Sequence, residues 1–434
     1  MNKRLWLVIF SLLLVAGTAQ AQLDKVFGNI FDQFLGSQRL QLIGQHGTHF
    51  LEAAEQANDA LTPGLNALIA SNVSSFPLTS TIAGATYDLS SGRPVKITES
   101  LGPIFAETAS TLGKSKLNLG FEYTHLSLEK FRGLRTQDLR FTFNHLDLNK
   151  NGQPLGDEIV ELDVMDVNLD LDANANIFAF FATFGVTNNL DVGVAIPLIT
   201  TSLSGEAVAT LRGPFAGVLH TFKGGTTNSP NLVDRIPYDE SGSGIGDVAV
   251  RLKYNFVRGA GMNWAALLDV RLPTGDDADF LGTGKTSTRL SLIATQKIAQ
   301  FTPHLNIGYD RRPAALDSDE LEFAIGFDQK MAEGVTFAVD FLGEIDINSD
   351  EAITFFPQET VTIVDKTNNP VVTQRTERLT NILTRDNDNI FNASFGLRVA
   401  ASEKFLLLGN VVVPLNDGGL RSNIVPTFGA TVSF

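Results

Sequence analysis

The clearest coordination spacing in the chain belongs to Asp147, Asn149, Asn151 and Glu158. In Asp147-Leu148-Asn149-Lys150-Asn151-Gly152, oxygen-bearing side chains recur at every second position, and Glu158 follows after five more residues. This is the D-x-[DN]-x-[DN]-G-x5-E pattern, in which hard oxygen donors and a closing carboxylate surround a calcium ion. Against that reading, Pro154 is awkward at the eighth position, helical patterns do not flank the loop, and Asn151-Gly152 alone makes a good hairpin turn. Calcium in an external loop and a simple turn stand as alternatives, and no other cofactor is implied.

Six histidines, at 46, 49, 125, 145, 220 and 304, are the candidate catalytic bases. They are scattered, and no nucleophile-elbow sequence accompanies them. The expectation is therefore no catalytic residue and no enzyme. A lipid hydrolase using a base such as His125 is the least favoured alternative.

A third group of charges has meaning only through the elements that carry it. After Lys114 apolar residues recur with period two: Leu117, Leu119, Phe121 and Tyr123 alternate with Asn118, Gly120, Glu122 and Thr124. Such alternation puts apolar groups on one face of a strand and polar or small ones on the other. It repeats near 174–186, 190–200, 246–256, 262–273, 286–298, 301–311, 320–331, 335–347, 389–400, 404–415 and 422–434. With 115–128 these make twelve strands of the length a tilted strand needs to cross hydrocarbon. Tight turns near 187–189, 258–260, 332–334 and 401–403 interleave with long polar loops near 201–243, 274–285, 311–319 and 348–388. The asymmetry is that of outer-membrane barrels, with short turns in the periplasm and long loops outside. A soluble sandwich would share the alternation but not these features.

The expected fold is all-β: a transmembrane antiparallel β-barrel of about 12 strands, preceded by a partly helical segment. Segments 136–148 and 158–172 form an external hairpin, or join the ring and make it fourteen. On the inner face the pattern places Glu122, Asp247, Arg251, Lys253, Asp269, Arg271, Arg289, Glu322, Asp340 and Arg398. In a hydrated lumen these line a solute path, or pair across strands and anchor a plug.

The ends of the chain agree. Lys3 and Arg4, an apolar run over 5–16 and Ala19-Gln20-Ala21 read as a signal peptide over 1–21. Segment 22–113 is expected to be a plug or a periplasmic segment, with helices through Leu23–Phe34 and from a Thr48 cap to a stop at Pro63-Gly64. The barrel spans 114–434, with external loops near 129–173, 201–243 and 348–388. Alternation persists to Phe434, resembling the signal read by the outer-membrane assembly machinery. Cysteine is absent, so thiolate metal sites and disulfides are excluded. The formal charge of −15 argues against a nucleic-acid partner. Expected partners are the lipid bilayer, the assembly machinery and a small-molecule solute, in the outer membrane of a Gram-negative cell.

Several short motifs carry a family resemblance. Phe184-Gly185-Val186-Thr187-Asn188-Asn189-Leu190-Asp191 looks like a hairpin of the outer-membrane barrel family named for a meta-pathway of phenol degradation. Ser243-Gly244-Ile245-Gly246-Asp247, Leu272-Pro273-Thr274-Gly275-Asp276, Leu281-Gly282-Thr283-Gly284 and Leu101-Gly102-Pro103-Ile104-Phe105-Ala106-Glu107 are similar to its other signatures. At greater distance that family resembles long-chain fatty-acid and aromatic-hydrocarbon channels. The resemblance implies passive uptake of a small hydrophobic or aromatic solute, with the N-terminal segment as a hatch. A structural or ligand-binding, adhesin-like barrel is the alternative.

Overall fold

The computed structural model describes residues 22–36, 38–42, 50–74, 87–88, 95–96, 100–151, 155–156, 158–226, 228–259, 261–312, 319–347, 360–367, 372–383, 385 and 387–434. The expected signal peptide and the Thr48 cap lie outside these residues.

Period-two alternation yields strands because each face then meets a single environment, and here the strands close on one another. They are β1 (Leu117–Leu128), β2 (Val164–Gly185), β3 (Leu190–Arg212), β4 (Val248–Val257), β5 (Met262–Leu272) and β6 (Ser287–Gln296). The ring continues through β7 (Phe301–Arg311), β8 (Glu320–Ala332), β9 (Val335–Asp346), β10 (Ile390–Ala400), β11 (Phe405–Pro414) and β12 (Val425–Ser433). Each pairs antiparallel with its chain neighbours, and β12 returns to β1 through a register from Thr427↔Thr124 to Ser433↔Asn118. Phe434 completes the seam: its N–H donates to the Leu117 carbonyl at 2.8 Å, and the Leu117 N–H donates back at 3.1 Å. Closure satisfies the backbone groups that an open edge would leave bare in lipid.

The ring therefore has twelve strands, and the fourteen-strand alternative fails. Strand Leu139–Asn144 pairs with the outer part of β2 and makes a single further bridge from Phe141 to Thr380, and Val233–Ile245 pairs with the outer part of β3. Neither enters the ring. Outward side chains such as Phe121, Phe180, Ile196, Leu252, Leu292 and Phe395 are exposed, whereas their inward neighbours are mostly polar or small, with Phe181 and Ile293 as buried apolar exceptions. An apolar exterior on a closed cylinder is the signature of an outer-membrane barrel, and the outer membrane is where the chain resides.

Two expected loops are largely strand. β2 and β3 run for 22 and 23 residues and stay paired from Gly185↔Asp191 to Val164↔Arg212, well beyond the positions 174 and 200 expected for their outer ends. Outside the membrane Asp170, Asp172, Ser204 and Glu206 face water, while Leu169, Leu171, Leu203 and Ala207 remain buried on the other side. The period of two survives the change of solvent, so the sheet continues as a raised wall on one side of the mouth. Near 348–388, strands Thr360–Asp365 and Thr373–Arg378 form the expected projecting hairpin; its tip, 368–371, lies outside the described residues.

The concave side of the raised wall holds the first part of the N-terminal segment. Helix α1 (Val26–Leu35) buries Phe27, Phe31 and Phe34 completely. Phe31 meets Phe141 and Phe143 edge-on at 6.1 and 5.7 Å, and Phe34 meets Phe222 at 6.3 Å. Each such ring contributes about 1.5–3 kcal/mol of burial. The second helical stretch does not stop at Pro63-Gly64. It runs as α2 (Leu51–Gln56), a π turn over Ala57–Leu61, and α3 (Thr62–Ser74). Pro63 is the second residue of α3, and the wider π turn before it accommodates the missing N–H and the ring.

Candidate functional site

Between Leu101 and Lys114 the chain has neither helix nor strand, and it is tied to the inner wall of the barrel by polar contacts. At one end the Leu101 N–H donates to Thr336 Oγ1 on β9 at 2.9 Å, and Arg398 on β10 donates to the Leu101 carbonyl at 3.2 Å. Next, Ile104 sits so close to Gly396 that a Cβ there would fall 1.9 Å from its Cδ1. Across the lumen the Ala109 N–H donates to Thr295 on β6, and Asn255 on β4 donates to the Ala109 carbonyl. At the far end the Leu112 N–H donates to Asp191 on β3 at 2.9 Å, and Thr111 donates to the Asn188 carbonyl. Many of these wall residues lie in the half of each strand near the short turns. The segment is therefore a strap across the periplasmic half of the lumen.

Glu107 is the centre of this strap. One carboxylate oxygen meets Lys253 Nζ at 2.9 Å and the other faces the Arg251 guanidinium at 3.7 Å, while the Glu107 backbone N–H and carbonyl both bond Asn306. The charges continue along the wall. Arg251 pairs with Asp269 at 2.7 Å, Asp269 faces Arg289 at 3.4 Å, and Arg289 reaches Glu322 at 2.5 Å. That last contact spans β7, where Gly308 stands opposite Glu322 in register and offers no side chain. Alternating sign along this row offsets much of the cost of desolvating each member.

Of the ten inner-face candidates, Arg251, Lys253, Asp269, Arg289 and Glu322 thus join one ladder. Asp340 holds a different group: it accepts from His304 Nε2 at 2.6 Å, and Asp328 lies 3.6 Å from the other ring nitrogen. Arg398 is fully buried beneath Leu101, with Glu122 of β1 buried within electrostatic range of it. Arg271 donates to the Ser74 carbonyl at the end of α3. Asp247 stands apart from the ladder, because it accepts from the Gly275 N–H and from both the N–H and hydroxyl of Thr283. It pins the external loop after β5.

Sequence reasoning missed Glu107, His304, Asn306 and the strap's bonding. The available signal was a lone carboxylate in Ile104-Phe105-Ala106-Glu107, a stretch without strand or helix period. Between the strap, α3 and the wall lies a cavity of about 200 Å³. Phe105, Leu68, Leu126, Leu267, Ile293 and Val412 supply apolar lining, and Arg251, Arg289 and Glu322 supply a charged side.

The calcium candidates fall in a loop with its own hydrogen bonds. Asn149 Oδ1 accepts from the Asn151 N–H at 3.1 Å, and the Glu158 carboxylate caps the short 3-10 turn Ile159–Leu162. Gly152 and Pro154 lie outside the described residues. His125 is on the outward side of β1, bonded to Asn176 at 2.9 Å. His46 and His49 lie outside the described residues.

Comparison with known proteins agrees with the resemblance read from the motifs. Residues 148–359 match the family model described as "Putative MetA-pathway of phenol degradation". No curated protein matches the chain. Among solved structures, the chain is similar to an outer-membrane channel from Pseudomonas putida F1, at 11% identity and a TM-score of 0.42, over 75% of this chain and 98% of that one. A FadL homologue of Pseudomonas aeruginosa matches at 10% identity and a TM-score of 0.33, over 74% and 90%. A toluene transporter of Ralstonia pickettii matches at 11% and 0.27, over 83% and 98%.

Proposed function

We propose that this chain is a channel for passive entry of a small hydrophobic or aromatic solute, a reading supported by the match of residues 148–359 to the phenol-degradation family model. The observation that carries the reading is the cavity of about 200 Å³, lined by both apolar and charged side chains and bordered by Phe105 and Glu107 of the strap. A dry cavity of about 150 Å³ lined by aliphatic and aromatic groups admits benzene, so a single ring is the right scale. The charged lining residues suit a polar substituent on that ring. On this reading the barrel is not an enzyme, and its work is to pass a solute through a polysaccharide-covered leaflet.

Passage requires the strap to move. Its tethers are hydrogen bonds and ion pairs, which water entering the lumen can replace one at a time. Cells carrying the wild-type barrel should accumulate a radiolabelled monoaromatic faster than cells with an empty vector, and Glu107→Gln, with a loosened strap, should be faster still. Equal accumulation in all three would leave the second reading, a ligand-binding or adhesin-like barrel that uses the projecting hairpin of 360–378.

A further inference from the structure

The cavity extends from the strap to the external connection between β11 and β12, where Leu420, Arg421 and Ser422 all line it. The backbone there is fixed. Leu420 and Arg421 pair with Phe131 and Lys130, and the Arg421 carbonyl accepts from the Glu129 N–H at 2.8 Å.

Arg421 is 7% exposed, and its guanidinium is held by neutral groups alone. Nη1 donates to Asn416 Oδ1 at 2.9 Å and to the Gly418 carbonyl at 3.4 Å, while Nη2 donates to the Phe391 carbonyl at 3.3 Å and to Asn392 Oδ1. A guanidinium has five N–H donors. The fifth, on Nε, has no acceptor among the described residues, and the carboxylates of Glu344 and Asp417 act on this cation only from a distance. The other arginines of the lining differ: Arg251, Arg289 and Arg312 each hold a carboxylate at 2.7 Å or closer. Burying a cation without a contacting counter-ion is costly.

Ser422 repeats the anomaly one residue on. It is also 7% exposed, and its buried hydroxyl has no hydrogen-bond partner among the described residues. An unpaired buried hydroxyl forfeits its hydration without return. Two adjacent side chains thus bring spare hydrogen-bonding capacity to one cavity, beside the apolar Leu126, Leu128, Val412 and Val425.

We propose that Arg421 and Ser422 are the recognition pair for an uncharged oxygen, hydroxyl or carbonyl, carried on an apolar ring. The oxygen accepts from Arg421 Nε–H and shares a second hydrogen bond with Ser422 Oγ, while the ring lies on the neighbouring aliphatic side chains. A carboxylate suits the place less well, because Glu344, Asp346 and Asp388 line the same cavity and would oppose another anion. The pair names the solute class of the uptake reading and rests on that reading.

The test separates binding from entry. The barrel in lipid nanodiscs, with empty nanodiscs as the blank, is titrated by equilibrium dialysis with acetophenone, benzyl alcohol, toluene and benzoate, and the same barrel in liposomes is assayed for entry of each. Wild type should bind acetophenone saturably and more tightly than benzoate. Ser422→Ala removes a hydroxyl without a protein partner, so the barrel should fold, and it should weaken acetophenone and benzyl alcohol by about tenfold more than it weakens toluene. Arg421→Gln should widen that difference to about 10–100-fold; if it does not fold, Ser422→Ala decides. No saturable binding of acetophenone, tighter binding of benzoate, or an equal effect of Ser422→Ala on acetophenone and toluene would overturn the proposal. These preferences without entry above the protein-free rate would support the pair and defeat uptake, whereas entry without the preferences would do the reverse.

Discussion

The N-terminal segment is attached to the barrel in two physically different ways. Around α1 the attachment is apolar and dry: Phe31 and Phe34 are fully buried among Phe141, Phe143 and Phe222. Along the strap it is polar: Glu107 on Lys253 and Arg251, Leu101 on Thr336 and Arg398, Leu112 on Asp191. Apolar packing is lost whole when a surface separates, because no solvent partner replaces it. Polar tethers exchange partners with entering water at small net cost. The contrast makes the helical block an anchor and the strap the part that yields.

The largest break in this comparison should come from the anchor. Phe31→Ala should cost about 3–5 kcal/mol of local stability, seen as protease cleavage within 22–74 while the barrel stays folded. Glu107→Gln removes the charge shared by Lys253 and Arg251 and should cost about 1.5–3 kcal/mol. Its readout is faster amide exchange over 101–114, without change in the exchange of α1. Cleavage of α1 in Glu107→Gln would show that the two attachments are one cooperative unit. Gly396→Val forces Ile104 off the wall by overpacking, at about 1–3 kcal/mol. It sharpens the contrast by loosening the strap through sterics with all its charges intact.

The smallest effect concerns the external hairpin, which sits outside both regions. Glu377 accepts from Arg212 at 2.9 Å, and this bond, with smaller help from Arg375, holds its carboxyl below the ordinary value of 4.5. A depressed folded value means that the docking contribution is complete above pH 4.5 and disappears as pH falls through the lower, folded value. Proteolysis of 360–378 should rise below that point, while α1 and the strap keep their protection. Glu377→Gln should abolish the pH dependence.

How much of this was legible in the sequence follows from which residues carry a period. The ring was readable because each strand alternates against lipid outside and water inside, as in Phe121 and Tyr123 against Glu122 and Thr124. The outer reach of β2 and β3 was partly hidden. There Asp170, Asp172, Ser204 and Glu206 replace lipid-facing residues, so the pattern of a membrane strand ends although the strand does not. Parity alone assigns charges such as Arg251, Lys253 and Asp269 to the face opposite the lipid-facing residues. Their partner Glu107 was not found, because the strap is held by tertiary hydrogen bonds and leaves no periodic trace. The edge of the π turn before Pro63 was likewise invisible, since the proline pattern by itself predicts a stop.

The length of β2 and β3 carries a further consequence. At about 3.4 Å per residue, the dozen or so residues beyond the ten needed to cross hydrocarbon lift one side of the rim by roughly 40 Å of strand. Such a parapet reaches beyond the lipid surface, so on the proposed uptake reading a dissolved molecule would first meet protein at that height, above the opening itself.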